Sequence, residues 1–496
     1  MIQLKDVSFK YEESKSKILN NINLTIEDGE VICLTGTSGC GKTTLTRLLN
    51  GIIPNFYKGD IDGQILINHK DAQQQDVYEL TQQSGSVFQN PRSQFFCLNT
   101  TSELAFELEN YGISPSQIMT RIKEAAEQFN FKHLLDRDIF NLSGGEKQML
   151  ACSAIQVYGH ELIILDEPSS NLDFNTIFKI QQMIKIWKNE GKTIIIAEHR
   201  LHYLTEVADR FIIMKDGKIS EIYENEQFNA LSNKQLATLG LRNIHLEQLN
   251  VKAKRNNKLG YLNLQNYYFK YKRRQKLALN IDDVNISKGK VTAIIGHNGS
   301  GKSTFARCLT GVEKKFKGFI DTGEKRIKTQ QSLVDTYLVF QDVNNQLFAE
   351  SVEEELRLSN PTLDDETIKR CLQNYNISEH FDRHPLSLSG GEKQRLAIAS
   401  AVETKRDILI FDEPSSGLDG HHMREMSTII NKLANEGHTV LVITHDYEML
   451  LSCADEVLHL EKGKVNNQYE INEDTVGYLQ SFFNYRLKNK RFKYYQ

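Results

Sequence analysis

The sequence has no long hydrophobic run. None of its 496 residues belongs to a stretch that approaches the roughly 18 consecutive apolar residues of a membrane-spanning helix. We therefore do not expect the chain itself to cross a bilayer as helices. The first residues, Met1–Asp6, also lack the apolar run of a signal peptide, which predicts a cytoplasmic protein.

Paired cysteines and an excess of charge of one sign are also missing. The seven cysteines are odd in number and scattered without paired spacing, which favours a reducing compartment and no structural metal site. The formal net charge of -4 gives no overall argument for nucleic-acid binding, and we expect no nucleic-acid partner. A chain of this length predicts about two to four domains with sizeable cores.

What the sequence does contain is a set of three motifs that occurs twice in the same order. A glycine-rich loop comes first, a Leu-Ser-Gly-Gly-Glu segment second, and an apolar run that ends in Asp-Glu third. The first copy occupies residues 36–44, 142–146 and 163–167. The second copy occupies residues 296–304, 388–392 and 409–413. Two complete copies predict two halves that act together.

The glycine-rich loop has the pattern of a phosphate-binding loop and follows a strand-like apolar run, Val31–Leu34 in the first copy. Glycines let backbone N–H groups surround a triphosphate, and the helix predicted after Gly41 adds its positive end. The lysine would reach the terminal phosphates, and the hydroxyl after it would bind Mg²⁺. The residues concerned are Gly36, Gly39, Gly41, Lys42, Thr43 and Thr44, and Gly296, Gly299, Gly301, Lys302, Ser303 and Thr304.

The Asp-Glu pair of the third motif is predicted to lie at the end of a buried parallel strand, where α/β folds bind ligands. Asp166 and Asp412 would hold Mg²⁺ through water, while Glu167 and Glu413 would orient the attacking water or accept its proton. In both copies the aspartate lies 23 positions after the serine of the second motif, and a histidine lies 32 positions after the glutamate. A chance pair of surface carboxylates would not repeat this spacing.

With these motifs in this order, the chain resembles the ATPase subunits of ABC transporters over nearly the whole of both halves. Leu-Ser-Gly-Gly-Glu-Lys-Gln is the signature of that family. The resemblance implies an α/β fold with two tandem ABC ATPase domains that hydrolyse ATP with Mg²⁺. Each domain would have a P-loop RecA-like core, an antiparallel β subdomain and a helical subdomain between its glutamine and its signature.

The signature also has a physical reading as an anion site, because a serine and two glycines lead into a predicted helix whose first N–H groups are free. In the family it binds the γ-phosphate held by the opposite domain. The resemblance therefore implies head-to-tail pairing of the two halves around two composite sites. The signature residues are Ser143, Gly144 and Gly145, and Ser389, Gly390 and Gly391.

Four smaller family elements also match in both halves. A tyrosine that ends a Phe-Lys-Tyr run would stack on adenine, and a glutamine after Val-Phe would sense Mg²⁺ and the attacking water. A histidine would contact the γ-phosphate, and an aspartate would link the two sites. Taken singly, such a tyrosine could equally be a strand residue, and such a histidine is more often structural. The tyrosines are Tyr11 and Tyr271, the glutamines Gln89 and Gln341, the histidines His199 and His445, and the aspartates Asp173 and Asp419.

The segments around the glutamines narrow the resemblance. Val87–Phe96 and Val339–Phe348 look like a segment of energy-coupling factor ATPases, which drive uptake of vitamins and metal ions. Ser102–Glu107 and Ser351–Leu356 are similar to the same group. This resemblance implies a groove that receives a helix of a transmembrane coupling subunit, a separate substrate-binding membrane subunit, and a location at the cytoplasmic face of the membrane. The second copy lacks the proline that follows Gln89-Asn in the first, which predicts unequal grooves.

Other tandem ATPases without membrane spans stay open as alternatives. Translation factors that act on ribosomes usually carry a long charged helical linker, whereas the connector here is short. A ribosome-recycling relative has a cysteine-rich iron–sulphur region, and DNA-repair relatives insert zinc-binding cysteine pairs; neither pattern is present in this sequence. Duplicated sugar-uptake ATPases generally have one degenerate site, whereas both motif sets are complete here.

The repeat sets the expected domains, which are residues 1–240, a linker at 241–260, and residues 261–496. One short helix is predicted over Glu226–Leu239, between Asn225 as a cap and Gly240 as a stop. The basic linker segment Lys252–Lys258 is predicted to be solvated. The tail Tyr485–Tyr495 interleaves basic and aromatic residues, which fits either an anionic membrane surface or a frayed terminus.

Cys40 lies inside the first glycine-rich loop, beside its N–H groups and Lys42. Such surroundings can lower a thiol pKa and make the cysteine reactive to oxidation. The alternative is a small residue that the loop merely tolerates.

Overall fold

The computed structural model describes residues 1–253, 255, 259–271, 277–313, 316–323, 326–328 and 335–483. The basic and aromatic tail predicted at Tyr485–Tyr495 lies outside the described residues. The chain divides into two compact units, and the boundary along the sequence falls between His245 and Leu246. The expected domain limits at 240 and 261 stay predictions.

The first unit alternates strands and helices. Its strands are β1 Ile2–Tyr11, β2 Leu19–Ile26, β3 Val31–Gly36, β4 Gly59–Ile67, β5 Lys70–Asp71, β6 Ser84–Val87, β7 Leu162–Asp166, β8 Thr193–Ala197, β9 Arg210–Lys215 and β10 Lys218–Glu224. Its helices are α1 Lys42–Leu49, α2 Ile52–Asn55, α3 Val77–Gln83, α4 Thr100–Asn110, α5 Pro115–Gln128, α6 Gly144–Tyr158, α7 Phe174–Asn189, α8 Asn225–Asn229 and α9 Asn233–Thr238.

A six-stranded sheet forms the centre of this unit, in the order β10-β9-β3-β8-β7-β6. Its strands run parallel except for β10, which pairs antiparallel with β9. Strands β3 and β8 are buried along their whole length and read as continuous apolar runs, as strands covered on both faces do. The carboxyl ends of β3, β7 and β8 therefore meet at one edge of the sheet, where the motif residues follow.

Two smaller parts are added to this core. A four-stranded antiparallel sheet has the order β2-β1-β4-β5, and its apolar face packs with α1 against one side of the central sheet. Helices α4 and α5 lie between Gln89 and the signature and pack against α6. The expected core, antiparallel subdomain and helical subdomain are thus confirmed.

The second unit repeats this architecture. Its strands are β11 Tyr261–Phe269, β12 Leu279–Ser287, β13 Val291–Ile295, β14 Lys317–Asp321, β15 Arg326–Lys328, β16 Thr336–Val339, β17 Ile408–Asp412, β18 Thr439–Ile443, β19 Glu456–Glu461 and β20 Lys464–Glu470. Its helices are α10 Lys302–Leu309, α11 Val352–Ser359, α12 Asp365–Asn374, α13 Gly390–Glu403, α14 Gly420–Asn435, α15 Tyr447–Cys453 and α16 Val476–Phe482. The sheets have the orders β12-β11-β14-β15 and β16-β17-β18-β13-β19-β20, which match those of the first unit.

The end of the first unit differs from the prediction of one helix over Glu226–Leu239. Two short helices, α8 and α9, occupy this region, and the chain turns between them because Ser232 begins the second with its own capping box. Asn225 is the first residue of α8 and not its cap, which is Glu224. The pair Ser232 and Gln235, three positions apart, is the sequence signal for this second helix start.

The basic residues of the connector are not all solvated, contrary to the prediction. Lys252 Nζ lies 2.8 Å from Asp455 Oδ1, and the Arg255 guanidinium lies 2.5 Å from Asp455 Oδ2. Arg255 Nη2 also donates to Asn431 Oδ1 at 2.9 Å. The connector is therefore fastened to the second unit by ion pairs between residues about 200 positions apart in sequence, which local sequence patterns do not reveal. Lys254 and Lys258 lie outside the described residues.

None of the helices within the described ranges is both long enough and apolar enough to span a bilayer.

Candidate functional site

The glycine-rich loop of each unit joins the end of a central strand to a helix. In the first unit β3 ends at Gly36 and α1 begins at Lys42. Gly36 has φ +143°, and a Cβ there would lie 2.0 Å from the carbonyl oxygen of Met214. Gly296 has φ +152°, and its Cβ would lie 2.2 Å from the Leu460 oxygen. Only glycine therefore fits the first loop position in either unit.

The side chain of each loop lysine folds back and contacts its own loop. Lys42 is buried, and its Nζ donates to the carbonyl oxygens of Gly36 at 3.2 Å and Thr37 at 3.1 Å. Lys302 donates to the same two positions of its loop, at 2.7 and 3.3 Å. Each ammonium group thus lies within the curve of backbone N–H groups at a helix N-terminus, which suits a polyphosphate.

An oxygen-rich pair suited to Mg²⁺ stands beside each loop. Thr43 Oγ1 donates to Asp166 Oδ1 at 3.2 Å, so the hydroxyl and the carboxylate of two distant motifs meet. Ser303 forms the corresponding hydrogen bond with Asp412. Burial raises the pKa of both aspartates, and the hydroxyl hydrogen bonds oppose that rise. A hydroxyl and a carboxylate at one point are the ligands that Mg²⁺ shares with phosphate oxygens, so these residues fit the ion.

Glu167 is held by polar neighbours on several sides. Gln89 Nε2 donates to Glu167 Oε2 at 2.7 Å, and Ser170 Oγ donates to the same oxygen at 3.1 Å. His199 Nε2 lies 3.5 Å from Oε1. Burial, followed by the charges of Glu198 and Asp166, raises the pKa of Glu167 to about 7. A carboxylate with a raised pKa is a better proton acceptor, which suits a group that takes a proton from water.

The corresponding glutamate of the second unit is also buried. His445 donates its backbone N–H to Glu413 Oε2 at 3.2 Å, and His445 Nε2 lies 3.6 Å from Oε1. Gln341 follows β16 as Gln89 follows β6. Both units therefore place a histidine against the glutamate at nearly the same distance.

Both glutamates have a left-handed backbone, with φ 45° at Glu167 and 51° at Glu413. Each follows the last residue of a parallel strand, and its N–H donates to the neighbouring strand, at Ala197 O (2.8 Å) and Ile443 O (2.9 Å). A residue with a Cβ rarely adopts this conformation, and such strain is concentrated at functional sites. The turn directs each glutamate out of the sheet edge toward the loop.

The signature serines begin helices. Ser143 and Ser389 are the N-caps of α6 and α13, and each forms a capping box with the glutamate three residues later. Apart from the flanking residues and the helix's own backbone, no described residue lies within 4 Å of a Cβ built on Gly144 or Gly390. These helix starts therefore leave room for an anion above their first N–H groups.

The predicted tyrosines lie beside the glycine-rich loops, and the predicted aspartates lie at the starts of helices. Tyr11 and Tyr271 end β1 and follow β11, and their hydroxyl groups pair with Thr44 Oγ1 at 3.2 Å and Thr304 Oγ1 at 2.7 Å. Their rings thus stand beside the loops, where a base attached to a bound polyphosphate would lie. Asp173 caps α7, and Asp419 directly precedes α14.

The prediction of a reactive Cys40 is not supported by the structure. The thiol is buried, and that burial raises its pKa although Lys42 Nζ lies 3.6 Å from Sγ. A thiol that is harder to ionise and shielded from solvent is a poor target for oxidation. The alternative prediction, a small residue tolerated by the loop, agrees with this packing.

Sequence reasoning missed the residues that fix the glutamine loops. Gln94 Nε2 donates to Ser86 O at 2.7 Å, and Glu103 Oε2 accepts from the N–H groups of Phe96 at 3.0 Å and Cys97 at 2.7 Å. The second unit repeats these contacts through Gln346 Nε2 to Leu338 O at 2.9 Å and through Glu355 Oε2 to the N–H groups of Phe348 and Ala349 at 2.9 Å each. Equal spacing from the glutamine in both copies was the signal that could have found them.

The missing proline of the second loop leaves its backbone unchanged. Both loops form a short 3₁₀ turn, Pro91–Ser93 and Val343–Asn345. The side chains of Asn90 and Asp342 cap these turns through bonds of 3.1 Å to the second residue of each turn. Any inequality of the two loops therefore arises from side chains and not from the turn.

Comparison with known proteins agrees with this geometry. A family model described as "ABC transporter" matches residues 19–170 and 279–416. A Treponema denticola protein provisionally named an ABC transporter ATP-binding protein is 41% identical over 470 residues, which cover 94% of this chain and 96% of that protein. A Methanosarcina mazei protein with the same name is 31% identical, with 94% and 88% covered.

Solved structures of other proteins also cover both units. The archaeal ribosome recycling factor aABCE1, crystallised with the ribosomal stalk protein aP1, has a TM-score of 0.62 and is 21% identical, with 96% of this chain and 92% of that chain covered. At this identity the likeness concerns the fold alone. The family model and the two relatives show that the chain belongs to the ABC transporter ATP-binding family, and its two ABC ATPase units bind ATP with Mg²⁺ and hydrolyse the ATP.

Proposed function

We propose that this chain is the energy-coupling ATPase of a membrane importer that resembles the energy-coupling factor group. The cargo would be a vitamin, a vitamin precursor or a metal ion, bound by a separate membrane subunit. The chain would act at the cytoplasmic face of the membrane, where ATP closes the two units and hydrolysis reopens them. A transmembrane coupling subunit would receive that motion.

Two composite ATP sites are part of this proposal. In one of them Lys42 and Glu167 would act with Ser389 and Gly391 of the second unit. The other would combine Lys302 and Glu413 with the signature of the first unit, Ser143 and Gly145. ATP with Mg²⁺ supplies the phosphorus centre when bound. The chain's own groups would hold the phosphates, aim a water molecule and accept its proton at the glutamate carboxylate.

One observation carries the coupling role, namely a group of exposed apolar side chains on the first glutamine loop and on the turn that precedes the first signature. Phe96, Leu98 and Phe140, here named the first coupling surface, are 76%, 70% and 75% exposed. The Ile139 N–H donates to Leu98 O at 2.9 Å, which joins the two segments that carry them. Large apolar side chains that stand together in water favour an interaction surface.

This surface is tied to the site of hydrolysis by short contacts. Glu103 holds the loop at Phe96, and Gln94 holds it to β6, the strand that Gln89 follows. Gln89 in turn donates to Glu167 at 2.7 Å. A displacement at the glutamate would therefore be passed to the first coupling surface through a short series of hydrogen bonds and backbone.

The second unit offers a surface of different composition. Its exposed apolar side chains in the same region include Phe340, Phe348, Leu358 and Leu386. The position that corresponds to Leu98 is Glu350, which is also exposed. A partner that docks on both units would therefore need two unlike segments, one apolar and one with a polar or basic group.

The test is recovery of membrane partners by the tagged full-length chain from gently solubilised membranes of its own cells, followed by mass spectrometry. We expect a small multispanning protein to be recovered with the wild type. We expect its recovery to fall about tenfold or more with Phe96→Ser combined with Phe140→Ser, because buried aromatic anchors carry much of an interface's binding energy. ATPase activity of the purified variant reports that its sites stay intact.

Phe56→Ser is the matched control. Phe56 is as exposed as Phe96, at 76%, but it precedes β4 of the antiparallel sheet, so its replacement should leave recovery unchanged. An equal loss with Phe56→Ser would contradict the proposed surface. Recovery of ribosomal proteins in place of a membrane protein would assign the chain to the translation factors instead.

A further inference from the structure

A buried carboxylate stands directly behind the histidine of the first site. Glu198 is only 2% exposed, and it follows the last residue of β8. Its Oε1 accepts from the N–H groups of His199 at 2.7 Å and Arg200 at 3.0 Å. Its Oε2 accepts from the Ser169 N–H at 3.2 Å and from the Tyr203 hydroxyl at 2.9 Å. Four donors satisfy a buried carboxylate, and such charge-assisted bonds are strong.

These donors belong to two segments that flank the catalytic glutamate. Ser169 lies between Glu167 and Asp173, so its N–H fixes the turn that leads from one motif residue to the other. His199 places Nε2 at 3.5 Å from Glu167 Oε1. One side chain that touches neither phosphate loop nor metal ligands thus joins the histidine to the turn after the glutamate.

The second unit supports its histidine in another way. Thr444 occupies the position of Glu198, and its Oγ1 accepts from the Asp446 N–H at 3.0 Å. Asp446 caps α15 by accepting from the Met449 N–H at 3.1 Å. His445 donates its N–H to Glu413 itself.

The two units support their histidines differently because the residue that follows each histidine differs. Arg200 stands where the second unit has Asp446, and a guanidinium has no acceptor with which to cap a helix. Residues 202–207 accordingly form turns, whereas the second unit forms α15. Glu198 accepts the N–H groups of His199 and Arg200, whereas the corresponding N–H groups of His445 and Asp446 donate to Glu413 and Thr444. The imidazoles nevertheless reach nearly the same distance from their glutamates, 3.5 and 3.6 Å.

We propose that Glu198 is a positioning residue of the first ATP site, which holds His199 and the turn at Ser169 against Glu167. Thr444, Asp446 and α15 have this role in the second unit. The inference depends on ATP hydrolysis by this chain and is independent of any membrane partner. It can be tested on the purified full-length protein, so its failure would leave the proposed importer role untouched.

The experiment compares steady-state ATPase kinetics of wild type, Glu198→Gln and Glu198→Thr. We expect kcat to fall about tenfold, because a small misplacement of catalytic groups is costly, and no further than with Glu167→Gln. KM for ATP should stay within about twofold, because Glu198 does not face the phosphates. A change in KM with unchanged kcat would overturn the proposal, as would unchanged kcat in both variants.

A double variant that introduces the corresponding residues of the second unit tests whether kcat can be restored. Glu198→Thr combined with Arg200→Asp introduces the pair found in the second unit, and we expect kcat at least about threefold above that of Glu198→Thr alone. Failure of the pair to raise kcat would contradict the assigned role. If either Glu198 variant melts early, Tyr203→Phe removes a single donor and leaves the carboxylate. Lower kcat at constant KM in that variant supports the proposal, and wild-type kinetics overturn it.

Discussion

Replacement of Glu167 or Glu413 by glutamine is expected to lower ATP turnover of the whole chain by about 10²–10⁴, the range for loss of a general base. Glutamine keeps the size of the side chain and can still accept a hydrogen bond, but it cannot take a proton from water. Glu167 is buried beside Gln89 and His199, and its raised pKa makes the carboxylate a stronger base. Phosphate release by each purified variant measures the effect.

The matched control is Glu127→Gln, because the side chain of Glu127 is exposed on α5, pairs with Lys132 and lies outside both motif sets in sequence. It should hydrolyse ATP at the wild-type rate. Binding of ATP to the two glutamate variants should persist, since the loop lysines are intact. If each single variant lost only half of the turnover, the two sites would act independently, contrary to the prediction that the halves act together.

Trp187→Ala is expected to destabilise the first unit by about 3–5 kcal/mol, the usual cost of emptying a large buried aromatic site. Trp187 is fully buried on α7, and its ring meets Phe129 edge-on with centroids 5.6 Å apart. Its Nε1 donates to Gln156 Oε1 at 2.6 Å, so the alanine variant also leaves a polar atom without this donor. Denaturant unfolding followed by circular dichroism gives the change in free energy.

Trp187→Phe separates volume from hydrogen bonding at this position. It keeps an aromatic ring against Phe129 and loses only the N–H donor, so we expect a smaller loss than with alanine. The two units can unfold in separate steps, and the shift should be confined to one of them. A loss below about 1 kcal/mol with alanine would mean that the core closes over the vacated site.

Short, repeated motifs made the site predictable from the sequence. The glycine loops, the Asp-Glu pairs and the histidines follow apolar runs, and parallel strands bring their carboxyl ends to one edge. The hydrogen bonds between Thr43 and Asp166 and between Gln89 and Glu167 join those motifs as this reasoning implies. The repeat was the strongest evidence for the site, because a chance pattern in one half would not recur at the same spacing in the other.

Features without a repeat, or with distant partners, were not predictable in the same way. The second copy has Thr444 at the position of Glu198, so the repeat does not mark this carboxylate. The pairing of Lys252 and Arg255 with Asp455 depends on how the second unit folds back on its connector. Burial raises the pKa of Cys40 despite the nearby Lys42, and burial is a property of the packed unit that the sequence alone does not give.

One local difference between the halves is explained by backbone geometry. Asn171 stands where the second copy has Gly417, and the two have φ 61° and 67°. Asparagine is among the few residues that tolerate this left-handed conformation. The exchange therefore preserves the turn that leads to Asp173 and Asp419.

The left-handed backbone of Glu167 and Glu413 costs stability, so we expect stability and ATP hydrolysis to favour different residues at these positions. A residue with a Cβ loses on the order of 1 kcal/mol in that conformation, whereas glycine adopts it freely. Glu167→Gly is therefore expected to melt at a higher temperature than Glu167→Ala, which calorimetry can measure, although both lack the carboxylate. A population of such chains selected only for remaining folded would accumulate glycine there, and only a continuing demand for ATP hydrolysis would keep glutamate in both halves.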